Sequence, residues 1–140
     1  KNQIGFAKQM IFEDRGHSSQ ERMPVQQKEV FINGDGEQTR DFTYIDDTVE
    51  ACVSLLGISG AHIINIANEK EWNITTLAEK IIKITKSKSE IKYIESPAKR
   101  YDYEVERRVG SSGKLKELVN YKPSTELEDG LQKIFEINYL

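Results

Sequence analysis

The sequence predicts an α/β chain with α+β-like character. Short β-prone runs recur at 29–32, 39–45, 62–67 and 91–94. Apolar residues return at helical spacing behind Asp…Glu and Thr…Glu start signals. Glycine, asparagine and proline punctuate the transitions. Strands alternating with helices point to a layered α/β arrangement.

In chain order, Ile4, Phe6, Ala7, Met10 and Ile11 line one face of a first helix, and the polar stretch 13–27 reads as a loop or mobile insertion. Glu29 to Ile32 and Thr39 to Ile45 are β-prone. They flank Asn33-Gly34 and Asp35-Gly36, dipeptides that supply the positive φ of tight turns, so a strand–turn–strand is expected. Asp47 and Glu50 form an Asp variant of the capping box and place a helix start near Asp46 or Asp47. Val49, Cys52, Val53 and Leu56 give that helix an apolar face, and Gly57 suits its C-terminal stop. His62 to Ala67 has the length and composition of a buried strand.

Thr76 and Glu79 form a second capping box before a stripe of Leu77, Ile81 and Ile84, widened by Ala78 and Ile82. Ile91 to Ile94 is a further strand, and 97–108 is charged and rich in tyrosine. Ser112 to Val119 is a short helix that stops before Pro123. Thr125 and Glu128 form a third capping box ahead of Leu127, Leu131, Ile134 and Phe135. Gly130 inside that last helix costs about 1 kcal/mol against Ala, a cost that close packing against another element explains.

Composition narrows the function. The 140 residues are 37% apolar and 31% charged, a polar balance that suits a thin core or a piece lacking a neighbouring layer. A net charge of −3 leaves no electrostatic footprint for nucleic acid, and no apolar run is long enough for a membrane span. Cys52 is the lone cysteine, read as a small core residue, and with only His17 and His62 it gives no zinc spacing. A reducing, cytoplasmic setting is expected, with no secretory leader in residues 1–12.

Candidate chemistry is sparse. Gly57-Ile-Ser-Gly60 follows a helix rather than opening one, so it is a helix-ending loop and not a phosphate cradle. Asp41, Asp46 and Asp47 are candidate acid–base carboxylates, but the latter two stand at a helix start, where Asp caps and meets the dipole. His62 reads as a locally hydrogen-bonded residue. Arginines are the better clue. Arg40 follows the glycine-rich turn, and Arg107 and Arg108 lie in the tyrosine-containing segment. Their forks match phosphate oxygens, although each also suits a surface ion pair.

The stretch from Phe31 to Ala51, FINGDGEQTRDFTYIDDTVEA, resembles a signature of extended short-chain dehydrogenases/reductases, the nucleotide-sugar epimerases, dehydratases and decarboxylases. Its parts are a Gly-Asp-Gly turn, Arg-Asp-Phe, and an Asp-Asp pair opening a helix. Four further blocks follow in the family's order: Ile64-Asn-Ile-Ala67, Ile74 to Ile84, Lys114 to Pro123, and Leu127-Glu-Asp-Gly-Leu131. The resemblance covers about Glu29 to the end.

It implies a C-terminal substrate-binding lobe with remnants of the last Rossmann helix and strand, in a single domain of residues 1–140 whose cofactor-binding half is absent. It implies that Arg40 contacts the nucleotide diphosphate. A second phosphate arginine is one of Arg100, Arg107 and Arg108, with the Arg-Arg pair favoured. It also implies base contacts from Val30, Phe31 and Ile32. The family's ligand is a nucleotide diphosphate sugar and its cofactor is NAD.

Departures from the pattern limit what is expected. The sequence has no Gly-x-x-Gly-x-x-Gly loop, and none of its six tyrosines has Lys four residues on. No catalytic residue, no hydride chemistry and no NAD binding are therefore expected of these residues alone. Gly110-Ser111-Ser112 stands where relatives have Pro-Asp or Ala-Asp, and Asn120 replaces the usual Gly before the aromatic.

The leading expectation is the substrate-binding half of an NAD-dependent epimerase/dehydratase, epimerase-like and inactive alone. The alternatives are a non-catalytic nucleotide-sugar-binding module, a subunit pairing with a separately encoded cofactor half or with itself, and a degenerate fragment. A missing sheet also predicts exposed apolar residues around Val49, Val53, Ile64 and Ile66.

Overall fold

The computed structural model describes residues 29–95 and 105–139, in two compact units. The helix and insertion expected within 1–27, and Arg100, lie outside the described residues. In chain order the elements are β1 (Val30–Asn33), β2 (Thr39–Asp41), α1 (Ile45–Ser54), β3 (Glu71–Asn73), α2 (Ile74–Thr85), β4 (Ile91–Ile94), β5 (Arg107–Arg108), α3 (Gly113–Val119) and α4 (Leu127–Tyr139). No helix among the described residues is long and apolar enough to cross a membrane.

The first unit holds β1, α2 and β4. β1 and β4 pair in parallel from Val30↔Ile91 to Asn33↔Ile94, an arrangement that needs a long crossover. Ile32, Ile74, Leu77 and Ala78 are buried and form its core. Each large side chain among them contributes roughly 1.5–3 kcal/mol by leaving water. The predicted turn forms, with Gly34 at φ 76° and Gly36 at φ 77°. A Cβ on Gly36 would run into Thr75 Oγ1, whose backbone N–H donates to Gly36 O at 3.2 Å. β1 and β2 do not pair with each other across this turn. They join different sheets.

The second unit holds the remaining elements around a three-stranded sheet of order β3-β2-β5. β2 runs antiparallel to β3, with Thr39↔Asn73, Arg40↔Trp72 and Asp41↔Glu71. It runs parallel to β5, with Thr39↔Arg107 and Arg40↔Arg108. Ala51, Ala67, Leu115 and Pro123 are buried, together with the polar Asp41, Asp47, Asn68 and Ser112. Gly130 of α4 is buried too, and a Cβ there would lie 3.1 Å from Tyr44 Cδ2, which is the close packing expected of it.

Several expectations are corrected. The run 62–67 forms no strand, because extended backbone becomes a strand only beside a partner with which to exchange hydrogen bonds, and none pairs with it among the described residues. The Asp47 capping box does not form: α1 begins at Ile45 behind Tyr44, without a side-chain cap. α2 begins at Ile74, so Thr76 lies within its first turn rather than ahead of it. Thr125 stands two residues before α4 and turns its hydroxyl to Asp47.

Cys52 is exposed rather than in the core. It shares the outer stripe of α1 with Ile45 (44% exposed), Val49 (53%), Val53 (59%) and, just beyond the helix, Leu56 (79%). The face of α1 that packs inward carries Ala51 and the carboxylate of Asp47. Exposure at Val49 and Val53 is as expected, whereas Ile64 and Ile66 are half-buried and Ile63 is 90% exposed.

Candidate functional site

Side chains alternate across a pleated sheet, and residues in register share a face. The three-stranded sheet therefore has two different faces. One carries Thr39, Asp41, Glu71, Asn73 and Arg107. The other carries a row of Trp72, Arg40 and Arg108, in that order across the strands.

The first face is internally satisfied. Arg107 donates to Glu71 through Nε (3.0 and 2.8 Å) and Nη2 (2.5 Å), and Thr39 Oγ1 donates to Glu71 Oε2 at 2.9 Å. The Arg107 hydrogen bonds, followed by that of Thr39, hold the Glu71 carboxyl below the usual carboxylate range, and the Arg107 guanidinium is raised in turn. A guanidinium so matched to a carboxylate has its charge locally balanced.

On the second face, Arg40 Nη1 donates to Thr39 O at 2.7 Å and to Glu106 O at 3.3 Å, which ties its fork toward the entry to β5. Arg108 is exposed and makes no ion pair or side-chain hydrogen bond among the described residues. Two guanidinium groups in register on adjacent strands form a candidate anion site. Trp72 stands beside Arg40 on β3, half-buried.

The scaffold behind this row is polar and fully engaged. Asp41 is buried and accepts the backbone N–H groups of Asn68 (3.1 Å), Glu69 (3.0 Å) and Gly110 (3.3 Å). It thereby fastens β2 to the segments flanking β3 and β5. Ser112 Oγ accepts from Ala67 N at 2.8 Å and donates to Ala67 O at 2.7 Å. A Cβ on Gly110 would lie 2.5 Å from Ala67 Cβ.

Glu69 sits at φ 65° and accepts Ser112 N (2.6 Å), Ser111 Oγ (3.3 Å) and Lys122 Nζ (2.5 Å). These bonds, that of Lys122 first, keep its carboxyl below the ordinary range. The Gly110-Ser111-Ser112 departure is thus accommodated by hydrogen bonds to the 67–69 segment.

The sequence-predicted site residues divide. Arg40 and Arg108 share a face, and Arg107 lies on the other, held by Glu71. Val30, Phe31 and Ile32 lie in the first unit. Phe31 is 49% exposed, but Ile32 is wholly buried, so its side chain serves the core and is not available to a base. His62 is exposed, with Nε2 hydrogen-bonded to Ser59 O at 2.9 Å, the local bond expected of it. Among the described residues no group of three His, Cys, Asp or Glu side chains could hold a metal ion. The positions of Trp72, Glu69 and Ser112 are not legible in the sequence, because they depend on a strand register and a loop pairing that composition does not encode.

Comparison with known proteins agrees with this architecture. The sequence profile of the family described as GDP-mannose 4,6 dehydratase matches residues 17–134. The chain belongs to this family, among the extended short-chain dehydrogenases/reductases.

Similar members include the UDP-N-acetyl-alpha-D-glucosaminuronate decarboxylase of Bacillus cytotoxicus, 34% identical over 120 residues, which are 82% of this chain and 37% of that protein. An uncharacterized UDP-glucose epimerase of Bacillus subtilis is 34% identical over 120 residues, 83% of this chain and 35% of its own. Among solved structures, the Thermotoga maritima UDP-glucose 4-epimerase with UDP-glucose superposes with a TM-score of 0.72 at 27% identity, covering 81% of this chain and 35% of that one. The Bacillus cereus UDP-glucuronic acid 4-epimerase in complex with UDP-glucuronic acid and NAD gives 0.67 at 29% identity, covering 78% and 34%. The chain therefore spans about a third of the length of each of these relatives.

Proposed function

We propose that this chain is the nucleotide-sugar-binding part of an NAD-dependent epimerase, decarboxylase or dehydratase, epimerase-like in kind, and that Arg40 and Arg108 hold the diphosphate of its substrate. The observation that carries the reading is the register Arg40↔Arg108 on a face separate from the Arg107–Glu71 pair. Two forks on neighbouring strands suit the oxygens of adjacent phosphates and position them without reacting. The solved relatives named above were found with UDP-sugars and, in one case, NAD, which supports the ligand class. Of the residues the resemblance assigns to the base, Phe31 has the most exposed side chain, Val30 is half-buried and Ile32 is wholly buried.

NAD, where a whole protein of this family holds it, would supply redox chemistry at a sugar hydroxyl. The residues present here do not fit that cofactor. Gly57 (φ 96°) and Gly60 (φ 92°) follow α1 instead of opening a helix, and the Tyr-x-x-x-Lys pair is not in the sequence. By itself the chain binds and does not turn over.

Titration of the chain with UDP, GDP and dTDP by amide NMR tests the reading. Shifts should centre on Arg40 and Arg108. Arg40→Ala and Arg108→Ala should each weaken binding about ten-fold or more, the loss of a charge-assisted bond of roughly 1.5–3 kcal/mol. Arg107→Ala should change affinity less than about two-fold, within the range of an exposed ion pair. Equal losses at Arg107 and none at Arg108 would refute the assignment, and turnover of any nucleotide sugar by the pure chain would refute its inactivity. The exposed stripe Ile45-Val49-Val53-Leu56 also favours a second reading, a subunit that pairs with a separately encoded cofactor half.

A further inference from the structure

We propose that Trp72 is a specificity-determining residue, whose indole stacks on the flat face of a ring attached to the bound diphosphate. The inference rests on the diphosphate reading of Arg40 and Arg108. Neighbouring strands lie about 4.8 Å apart, so the in-register row Trp72, Arg40, Arg108 extends roughly 10 Å across one sheet face. Its order is an aromatic plane, a fork and a second fork. A diphosphate seated over β2 and β5 directs one of its two substituents toward β3, across the indole.

The ring is a nucleobase or a pyranose, since both offer a flat face to an aromatic side chain. The opposite sheet face has no such order, because there Thr39, Glu71 and Arg107 satisfy one another. Trp72 is also not part of the buried core of its unit, where a large indole would ordinarily contribute most.

Trp72 is the sole tryptophan of the chain, so its emission reports on this position alone. The whole chain is titrated with inorganic pyrophosphate, UDP and UDP-glucose, following Trp72 fluorescence for the native protein and heat of binding for the variants. UDP or UDP-glucose should quench the emission where pyrophosphate does not, and should bind about ten-fold tighter than pyrophosphate. Trp72→Ala should abolish that advantage and leave pyrophosphate binding in place, and Trp72→Phe should restore most of it. A gain already present with UDP identifies the ring as the base, and one that appears only with UDP-glucose identifies it as the sugar.

Equal weakening of pyrophosphate and UDP by Trp72→Ala would overturn the proposal, leaving Trp72 as a support for Arg40. Identical quenching by pyrophosphate and UDP would overturn it without any variant, should Trp72→Ala not fold. Pyrophosphate binding that is indifferent to Arg40→Ala would instead remove the diphosphate reading, a result separate from either outcome at Trp72.

Discussion

The carboxylate of Asp47, in the first turn of α1, accepts the hydroxyl of Thr125 at 2.8 Å, from 78 residues further along the chain. The other oxygen accepts the backbone N–H groups of Ser124 (3.0 Å) and Thr125 (2.9 Å). A residue placed to cap its own helix instead organises the approach to α4. Asp47→Ala leaves these donors without their acceptor in a buried setting and should destabilise the chain by about 3 kcal/mol. A urea midpoint unchanged within error would show that water replaces the carboxylate.

Gly130 tests the packing of α4 on Tyr44. Alanine gains about 1 kcal/mol of helix propensity but brings a Cβ to 3.1 Å from the ring, which must yield slightly. Gly130→Ala should therefore leave stability nearly unchanged. Gly130→Val, branched and larger, should cost about 2 kcal/mol or more, read by thermal unfolding.

Acid should destabilise the second unit through Glu69 and Glu71. Both carboxyls are held below their ordinary value of 4.5 by hydrogen bonds from Lys122 and Arg107 respectively. A depressed carboxyl stabilises the fold above its unfolded value and loses that contribution as pH falls through the folded value. Stability should thus decline from about pH 5 downward, and Glu69→Gln should flatten the decline in a urea series run from pH 6 to pH 3.

At the alkaline end the sign reverses. The Tyr121 hydroxyl donates to Asp47 O at 3.2 Å and to Glu50 Oε2 at 3.4 Å. Burial, then the Asp47 and Glu50 charges, push its pKa up to about 12. A raised tyrosine stabilises fully below its ordinary value of 10 and loses that contribution as pH rises through the folded value. Tyr121→Phe should shrink the loss of stability between pH 10 and 12, with the remainder belonging in part to Tyr44, which is also raised.

The outer stripe of α1 makes no demand on the stability of this chain. Val49→Thr and Val53→Lys should change the unfolding free energy by less than about 0.5 kcal/mol. They should also lower the binding of a hydrophobic dye, and a loss of several kcal/mol would mean that the stripe is covered in solution.

Much of this structure was legible from periodicity. Leu77 and Ala78 of α2 face inward, and Leu127, Leu131, Ile134 and Phe135 occupy the less exposed side of α4. Glycines at turns kept their positive φ, and Asn120, in place of a family glycine, takes φ 50° at the end of α3, where asparagine is the next-best residue. The capping boxes failed because a short polar side chain serves whichever N–H groups the fold brings near it, and for Asp47 those lie across the chain. The strand at 62–67 failed because apolar composition cannot supply a neighbour. Arg40 is singled out by a local motif. Its separation from Arg107 and alignment with Arg108 follow from strand register, which couples distant positions and leaves no mark in either segment.

The parallel pairing of β2 with β5 also sets a timetable. Arg40 meets the carbonyl of Glu106, 66 residues downstream, only after the intervening residues are made. During synthesis Arg40 and Arg108 emerge several seconds apart, at a rate of roughly 5–20 residues per second. The proposed anion site therefore closes only once β5 has emerged, and a ribosome-stalled product ending before Arg107 should show no affinity for diphosphates.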